Sequence, residues 1–228
     1  MARMPRLVRA GVPHQILQDG HNGQALVRDD EDRRLWRSML AEVARSHQMA
    51  VHAWVLLDER FHLVVTPTRL DSLSRFMQDF GRRYVGHFNR RHGRSGTLWN
   101  GRFRAGLVQP GESLLQVMRA VETAAVRAMM VEDARQWPWS SLMHHLGGPS
   151  DSLITEPPAF WDLGNTPFDR EAAYRAQVEG GAGAPTALDI ESAARRGLPW
   201  GSPAFIEALE VQEGRQLTPR PRGRPRKP

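Results

Sequence analysis

The stretch LLDERFHLVV, residues 56–65, decides how the chain folds. Phe61 to Thr66 (FHLVVT) and the preceding Val51 to Leu57 (VHAWVLL) are strand-length runs rich in β-branched and aromatic residues. Asp58-Glu59-Arg60 between them suits a tight hairpin. Alternate strand positions share a face, so Arg60 and His62 are expected to point the same way. A histidine buried on a strand, with a fixed cation two residues before it, is the local feature on which the functional question turns.

Working outward, His14 to Gln18 alternates weakly and reads as a strand. Asp29-Asp30-Glu31-Asp32 opens a helix whose acidic first turn complements the helix dipole, and Leu35, Met39, Leu40 and Val43 continue its apolar stripe to near His47. Ser72 begins a second helix, with Leu73, Phe76, Met77, Phe80, Tyr84 and Phe88 at helical spacing. After the loop Gly93-Arg94-Ser95-Gly96, Trp99 to Val108 reads as a strand interrupted by glycines. Ser113 to Met130 reads as a third helix with Leu114, Val117, Val121 and Ala125 buried. The order β-α-β-β-α-β followed by a helix predicts an α+β fold. Its architecture is the ferredoxin-like split βαβ, a four-stranded antiparallel sheet backed by helices.

Past Trp137-Pro138-Trp139 the chain reads as loop-rich, with a flexible linker at Gly180 to Pro185 and one short helix at Ser202 to Glu213. From Thr218 onward, TPRPRGRPRKP cannot build a core and is expected to be disordered when unbound. Three parts are expected: a domain at 1–148, a loop-rich and helical extension at 149–213, and a basic tail at 214–228.

The chain has no cysteine, which excludes disulfides and thiolate metal sites. No apolar run approaches the ~18–20 residues of a membrane span, so a soluble cytoplasmic protein is expected. The formal charge is +6, and the tail from Gly214 carries five arginines, one lysine and no acid. Arg75 to Arg104 holds eight arginines against one acid, Asp79. A basic central block inside a body, residues 1–213, that sums to zero, together with a basic tail, is the footprint of a nucleic-acid binder or, more plainly, a solvated arginine-rich surface.

The run LSRFMQDFGRRYVGHFNRRHGRSGTLWNGRFRAGLV, residues 73–108, resembles the core of the REP-associated tyrosine transposases, relatives of bacterial single-tyrosine transposases of the HUH superfamily. The resemblance extends to HQILQDGHNGQ (14–24), MRAVETAAVRAMMV (118–131), WPWSS (137–141) and the C-terminal GSPAFIEALEVQEGR…RGRPRK. It implies a ferredoxin-like domain that cleaves hairpin-bearing single-stranded DNA. The chemistry needs a His-hydrophobic-His pair for Mg²⁺ or Mn²⁺, a helix tyrosine that attacks the phosphate, and a polar residue one turn later.

In this chain the first histidine position holds Arg60, with Phe61 as spacer and His62 as the second histidine, a remnant metal ligand. The tyrosine position is Ala120, and the polar position is Ala124. A guanidinium offers no lone pair to a cation. The resemblance thus implies a DNA-binding relative with a degenerate site and no cofactor; Mg²⁺ or Mn²⁺ belongs only to an active enzyme. The alternatives are an active nickase using another nucleophile, such as Tyr84, with Glu59 or Glu122 near the metal, or a regulatory partner of an active relative.

The residues expected to contact DNA are Arg60, Arg82, Arg83, Arg90, Arg91, Arg94, Arg102 and Arg104, with Trp99 and Phe103 either stacking on bases or sitting in the core. In the tail, Arg222, Arg224, Arg226 and Lys227 surround an AT-hook-like Arg-Gly-Arg-Pro centre suited to a narrow A·T-rich minor groove. A protein bound to DNA in this way would associate with the nucleoid.

Overall fold

The computed structural model of the chain describes residues 6–180 and 184–218. Its elements are β1 (His14–Asp19), α1 (Asp30–Ser46), β2 (Ala50–Leu56), β3 (Arg60–Thr66), α2 (Ser72–Arg91), β4 (Arg104–Leu107), α3 (Glu112–Glu122), α4 (Ala124–Arg127), α5 (Leu142–His145), α6 (Pro158–Trp161), α7 (Pro167–Glu179), α8 (Ala184–Arg196) and α9 (Pro203–Glu213). The strands form one antiparallel sheet in the order β2-β3-β1-β4. That order is the split βαβ arrangement expected from the pattern, and the fold class is α+β.

Strand alternation divides the core into two layers. On one side Ile16, Trp54, Phe61, Leu63 and Val65 pack against Trp36, Leu40, Phe76, Phe80, Tyr84 and Phe88 of α1 and α2. Trp36 meets Phe61 and Phe80 edge-on at centroid distances of 5.1 and 5.6 Å. Each wholly buried ring of this kind stabilises the fold by about 1.5–3 kcal/mol relative to an exposed one. On the other side Ala53, Val55 and Val64 pack against α3, α6, α7 and α8 through Leu114, Val117, Val121, Phe160, Tyr174 and Ile190. Arg60 and His62 share this second side. By register, so do Asp19, opposite Arg60, and Arg104, which follows Leu17 from His62 across the sheet.

The WPWSS segment protects the sheet's β2 edge. Leu56 N donates to Trp139 O at 2.9 Å, and Ser141 N donates to Trp54 O at 3.0 Å. Unpaired strand groups are thereby satisfied within the chain.

Four expectations are corrected. Arg60 is the first residue of β3, paired with Asp19, rather than a hairpin residue. β4 is four residues long, not ten. Trp99 makes a single bridge to Gly20, and its ring turns into the core beside Phe61 (5.9 Å) and Tyr84 (6.0 Å), while Gly101 at φ 67° bends the chain away from extended geometry. The third helix breaks at Thr123, whose Oγ1 donates to Arg119 O at 2.7 Å and competes with the helical ladder. The extension is helical rather than loop-rich: α6 to α9 fill it, and α8 begins inside the expected linker.

α8 was illegible because its buried stripe is small, consisting of Ala187, Ile190 and Ala194. A small stripe lets the helix lie close on the sheet, and Gly106 of β4 makes that possible. A Cβ there would stand 2.4 Å from Leu198 O and 3.2 Å from Ala194 Cα. Ala105 faces the α1/α2 layer and Leu107 packs in a third cluster with Leu7, Leu209 and Leu217, so of these three positions 106 is the one that must be empty for α8 to seat.

Candidate functional site

β3 delivers Arg60 and His62 to a cavity of about 500 Å³ that α4 and α8 close with Ala124, Arg127, Leu188 and Glu191. His62 is 1% exposed, and its Nε2 has no hydrogen-bond partner among the described residues. Burial pulls its pKa down to about 4, against the attraction of Glu191, so the ring is neutral at pH 7. Arg60 reaches Asp19 and Glu191 only at 3.7 Å each. Arg195 of α8 holds the same two carboxylates more tightly, Asp19 at 2.6 Å and Glu191 at 2.8 Å. Burial opposes ionisation of both acids, yet the arginines, with His62, keep each pKa below the usual carboxylate range.

Ala124 lines this cavity, one turn after Ala120. Ala120 opens instead on a neighbouring cavity of about 350 Å³. Arg127 lines both and donates to Thr123 Oγ1 at 3.0 Å and to Ala120 O.

The chain's two tyrosines are wholly buried. Tyr84 lies in the α1/α2 layer, across the sheet from His62, and donates to Leu26 O at 2.8 Å. Tyr174 donates to Glu122 Oε2 at 2.7 Å. Burial raises the pKa of both phenols. Glu122, 0% exposed, also takes a hydrogen bond from Ser141 Oγ and stands 2.7 Å from His145 Nδ1. It is a structural carboxylate, locked away from the cavity.

These residues do not fit a divalent cation. The orphaned Nε2 of His62 is a single nitrogen ligand, Arg60 beside it is a cation, and Asp19 and Glu191 are already engaged by Arg195. Among the described residues no three His, Asp or Glu side chains are disposed to hold a metal ion. His144 and His145 diverge, toward Glu156 (3.6 Å) and Glu122.

The arginines singled out from the sequence fall into two sets. Arg91 binds Asp29, Glu31 and Asp32, fixing α2 to the first turn of α1. Its presence holds the Asp29 carboxyl well below the usual range. Arg83 pairs with Glu42 and Asp79, and Arg82 reaches Asp79 at 3.5 Å. Arg94 donates to Gln24 Oε1 at 2.8 Å. Arg90, Arg102 and Arg104 are exposed and make no ion pair among the described residues. Trp99 belongs to the core, and Phe103 is covered by Arg6 at 3.7 Å. Arg222, Arg224, Arg226 and Lys227 lie outside the described residues.

Sequence reasoning passed over Arg127, Glu191 and Arg195. Arg127 sat unremarked in MRAVETAAVRA, while Glu191 and Arg195 carry an i,i+4 spacing on a helix that was not foreseen.

The sheet order, with α3 and α4 carrying Ala120 and Ala124 on the side of the sheet that carries Arg60 and His62, places the chain in the fold class of the REP-associated tyrosine transposases. A solved structure of a REP-associated tyrosine transposase bound to a REP hairpin matches it with TM-score 0.56 and 16% identity, over 70% of this chain and 93% of that one. A candidate transposase from Deinococcus radiodurans R1 aligns at TM-score 0.35 and 20% identity, over 57% and 92% of the two chains. The sequence matches no protein-family model and no curated protein. Among the described residues no helix is long and apolar enough to cross a membrane.

Proposed function

We propose that the chain is a DNA-binding protein of the REP-associated tyrosine transposase family, recognising hairpin-forming single-stranded DNA at a site that no longer cuts it. The observation that carries the reading is the absence of a usable phenol. Ala120 stands where the nucleophile belongs, and both tyrosines are buried and hydrogen-bonded elsewhere. Arg60 in place of a metal ligand supports it, as does the hairpin-bound state of the structural neighbour. The exposed arginines 90, 102 and 104 supply phosphate contacts, and the tail supplies a second, A·T-rich duplex contact.

The test is a nicking assay on hairpin-bearing single-stranded DNA with Mn²⁺, beside a binding titration at two salt concentrations. Salt-sensitive binding without cleavage or a denaturant-resistant adduct is expected. An adduct would establish an active enzyme instead. No binding at low salt would remove DNA as the partner and leave a regulatory role through protein contacts.

A further inference from the structure

Arg127 occupies the wall between the two cavities and, among the described residues, donates to neutral partners only, Thr123 Oγ1 and Ala120 O. Burial disfavours its charge, and Glu191, the acid that attracts it, is itself held by Arg195 at 2.8 Å. A guanidinium drawn out of water without a counter-ion is costly unless a ligand anion completes it. Arg60 enters the same cavity with both its ion pairs stretched to 3.7 Å. Beside them the imidazole of His62 has an unsatisfied nitrogen. Of the carboxylates in the lining, Asp58 is bound by Arg33 at 2.6 Å and Glu191 by Arg195, which leaves Glu59 exposed at the mouth. Met130 and Leu188 add an apolar wall. Two guanidiniums beside a neutral imidazole, in a cavity of about 500 Å³, form a receptor for an oxyanion with an organic substituent.

We infer that this cavity is a metal-free phosphate seat: Arg127 and Arg60 grip the non-bridging oxygens, His62 lines the base, and Met130 and Leu188 meet the sugar or base attached. Fixed guanidinium charge thus stands in for a cation. Resting on the function proposed above, the seat takes an internucleotide phosphodiester of the unpaired strand. A free phosphate or nucleotide shares the same chemistry.

The test uses the full chain in two arms. In the first, inorganic phosphate is titrated against chloride of equal ionic strength while the His62 imidazole and Arg127 Nε–H resonances are followed. Saturable shifts in both are expected in the wild-type chain, with the His62 shift absent in Arg127→Met and retained in Arg127→Lys. In the second, a labelled hairpin with a single-stranded flank is bound to each variant. Arg127→Met should lower affinity about tenfold and reduce the slope of log K against log salt by about one, with Arg127→Lys keeping the slope. Because Arg127 also caps α3, Arg60→Gln provides an independent variant should Arg127→Met fail to fold. Phosphate-specific shifts without DNA binding would support the seat and overturn its DNA source. DNA binding with an unchanged slope in the variants, and no response of His62 to phosphate, would overturn the seat and leave the DNA-binding function standing.

Discussion

Tyr174 donates its hydroxyl to Glu122 Oε2 at 2.7 Å, with both side chains wholly buried. The bond ties α7 to α3 two residues after Ala120, and it spends the phenol on structure. Replacing Tyr174 with Phe leaves a buried carboxylate short of one donor, which costs roughly 1.5–3 kcal/mol. The expected outcome is a lower urea midpoint with unchanged DNA affinity. A Phe variant that keeps its stability but loses a covalent DNA adduct would make Tyr174 the nucleophile.

The basic block of α2 divides by pairing, and the two sets should behave differently. Arg91→Ala strips Asp32, 1% exposed, of its arginine side-chain partner and leaves it to His92 and the Arg28 backbone N–H, each at 2.8 Å. Leaving a buried charge underpaired costs about 3–5 kcal/mol, so denaturation should shift strongly. Arg102→Ala and Arg104→Ala break no ion pair among the described residues, and surface changes of this kind stay within about 0.5 kcal/mol. Each should instead lower the salt slope of DNA binding by about one. A large slope change in Arg91→Ala with stability intact would reverse the division.

Acid should weaken the fold in a defined window. His14 and His62 are pulled by burial from 6.5 to about 4. Between those values the unfolded chain binds protons that the folded chain refuses. The stability is therefore fully present above about pH 6.5 and falls as the pH drops toward 4, by roughly 3 kcal/mol per histidine. His52 and His144 are shifted in the same direction. Below that window the lowered carboxylates, Asp19 and Glu191 among them, lose their contribution as they protonate. Urea midpoints at pH 7.5, 5.5 and 4.5 should decline, less steeply in His62→Gln. A flat profile would show that these rings are hydrated.

The sheet and its α1/α2 layer were legible because large apolar side chains repeat there at periods of two and 3.6: Phe61, Leu63 and Val65 on β3, and Phe76, Phe80 and Tyr84 on α2. The β3 side of the site was legible for the same reason, since alternation alone puts Arg60 beside His62. What closes the site was not. α8 buries mostly alanines, a stripe with little contrast to its exposed face, and its docking depends on Gly106, some eighty residues earlier. The pairing of Arg195 with Asp19 spans 176 positions, and no local pattern announces a contact at that range.

Arg60 and Ala120, the positions where the family resemblance expects a metal histidine and the nucleophilic tyrosine, set the last prediction. Ala120→Tyr has room for its ring, since position 120 opens on a cavity of about 350 Å³. The phenol alone should not cut DNA, for Arg60 still places a cation where a divalent ion would have to sit. Arg60→His removes that charge and sets two imidazoles at i and i+2 on one face of β3, with His62 already neutral at pH 7. Mn²⁺ titrated by calorimetry should then bind to Arg60→His and not to the wild-type chain. Arg60→His also leaves Asp19 and Glu191 to Arg195 alone, so its melting point should be taken first to separate lost binding from lost fold. Neither Ala120→Tyr nor Arg60→His alone is expected to form an adduct with hairpin DNA, and strong cleavage by Ala120→Tyr alone would show that Arg60 does not bar the metal.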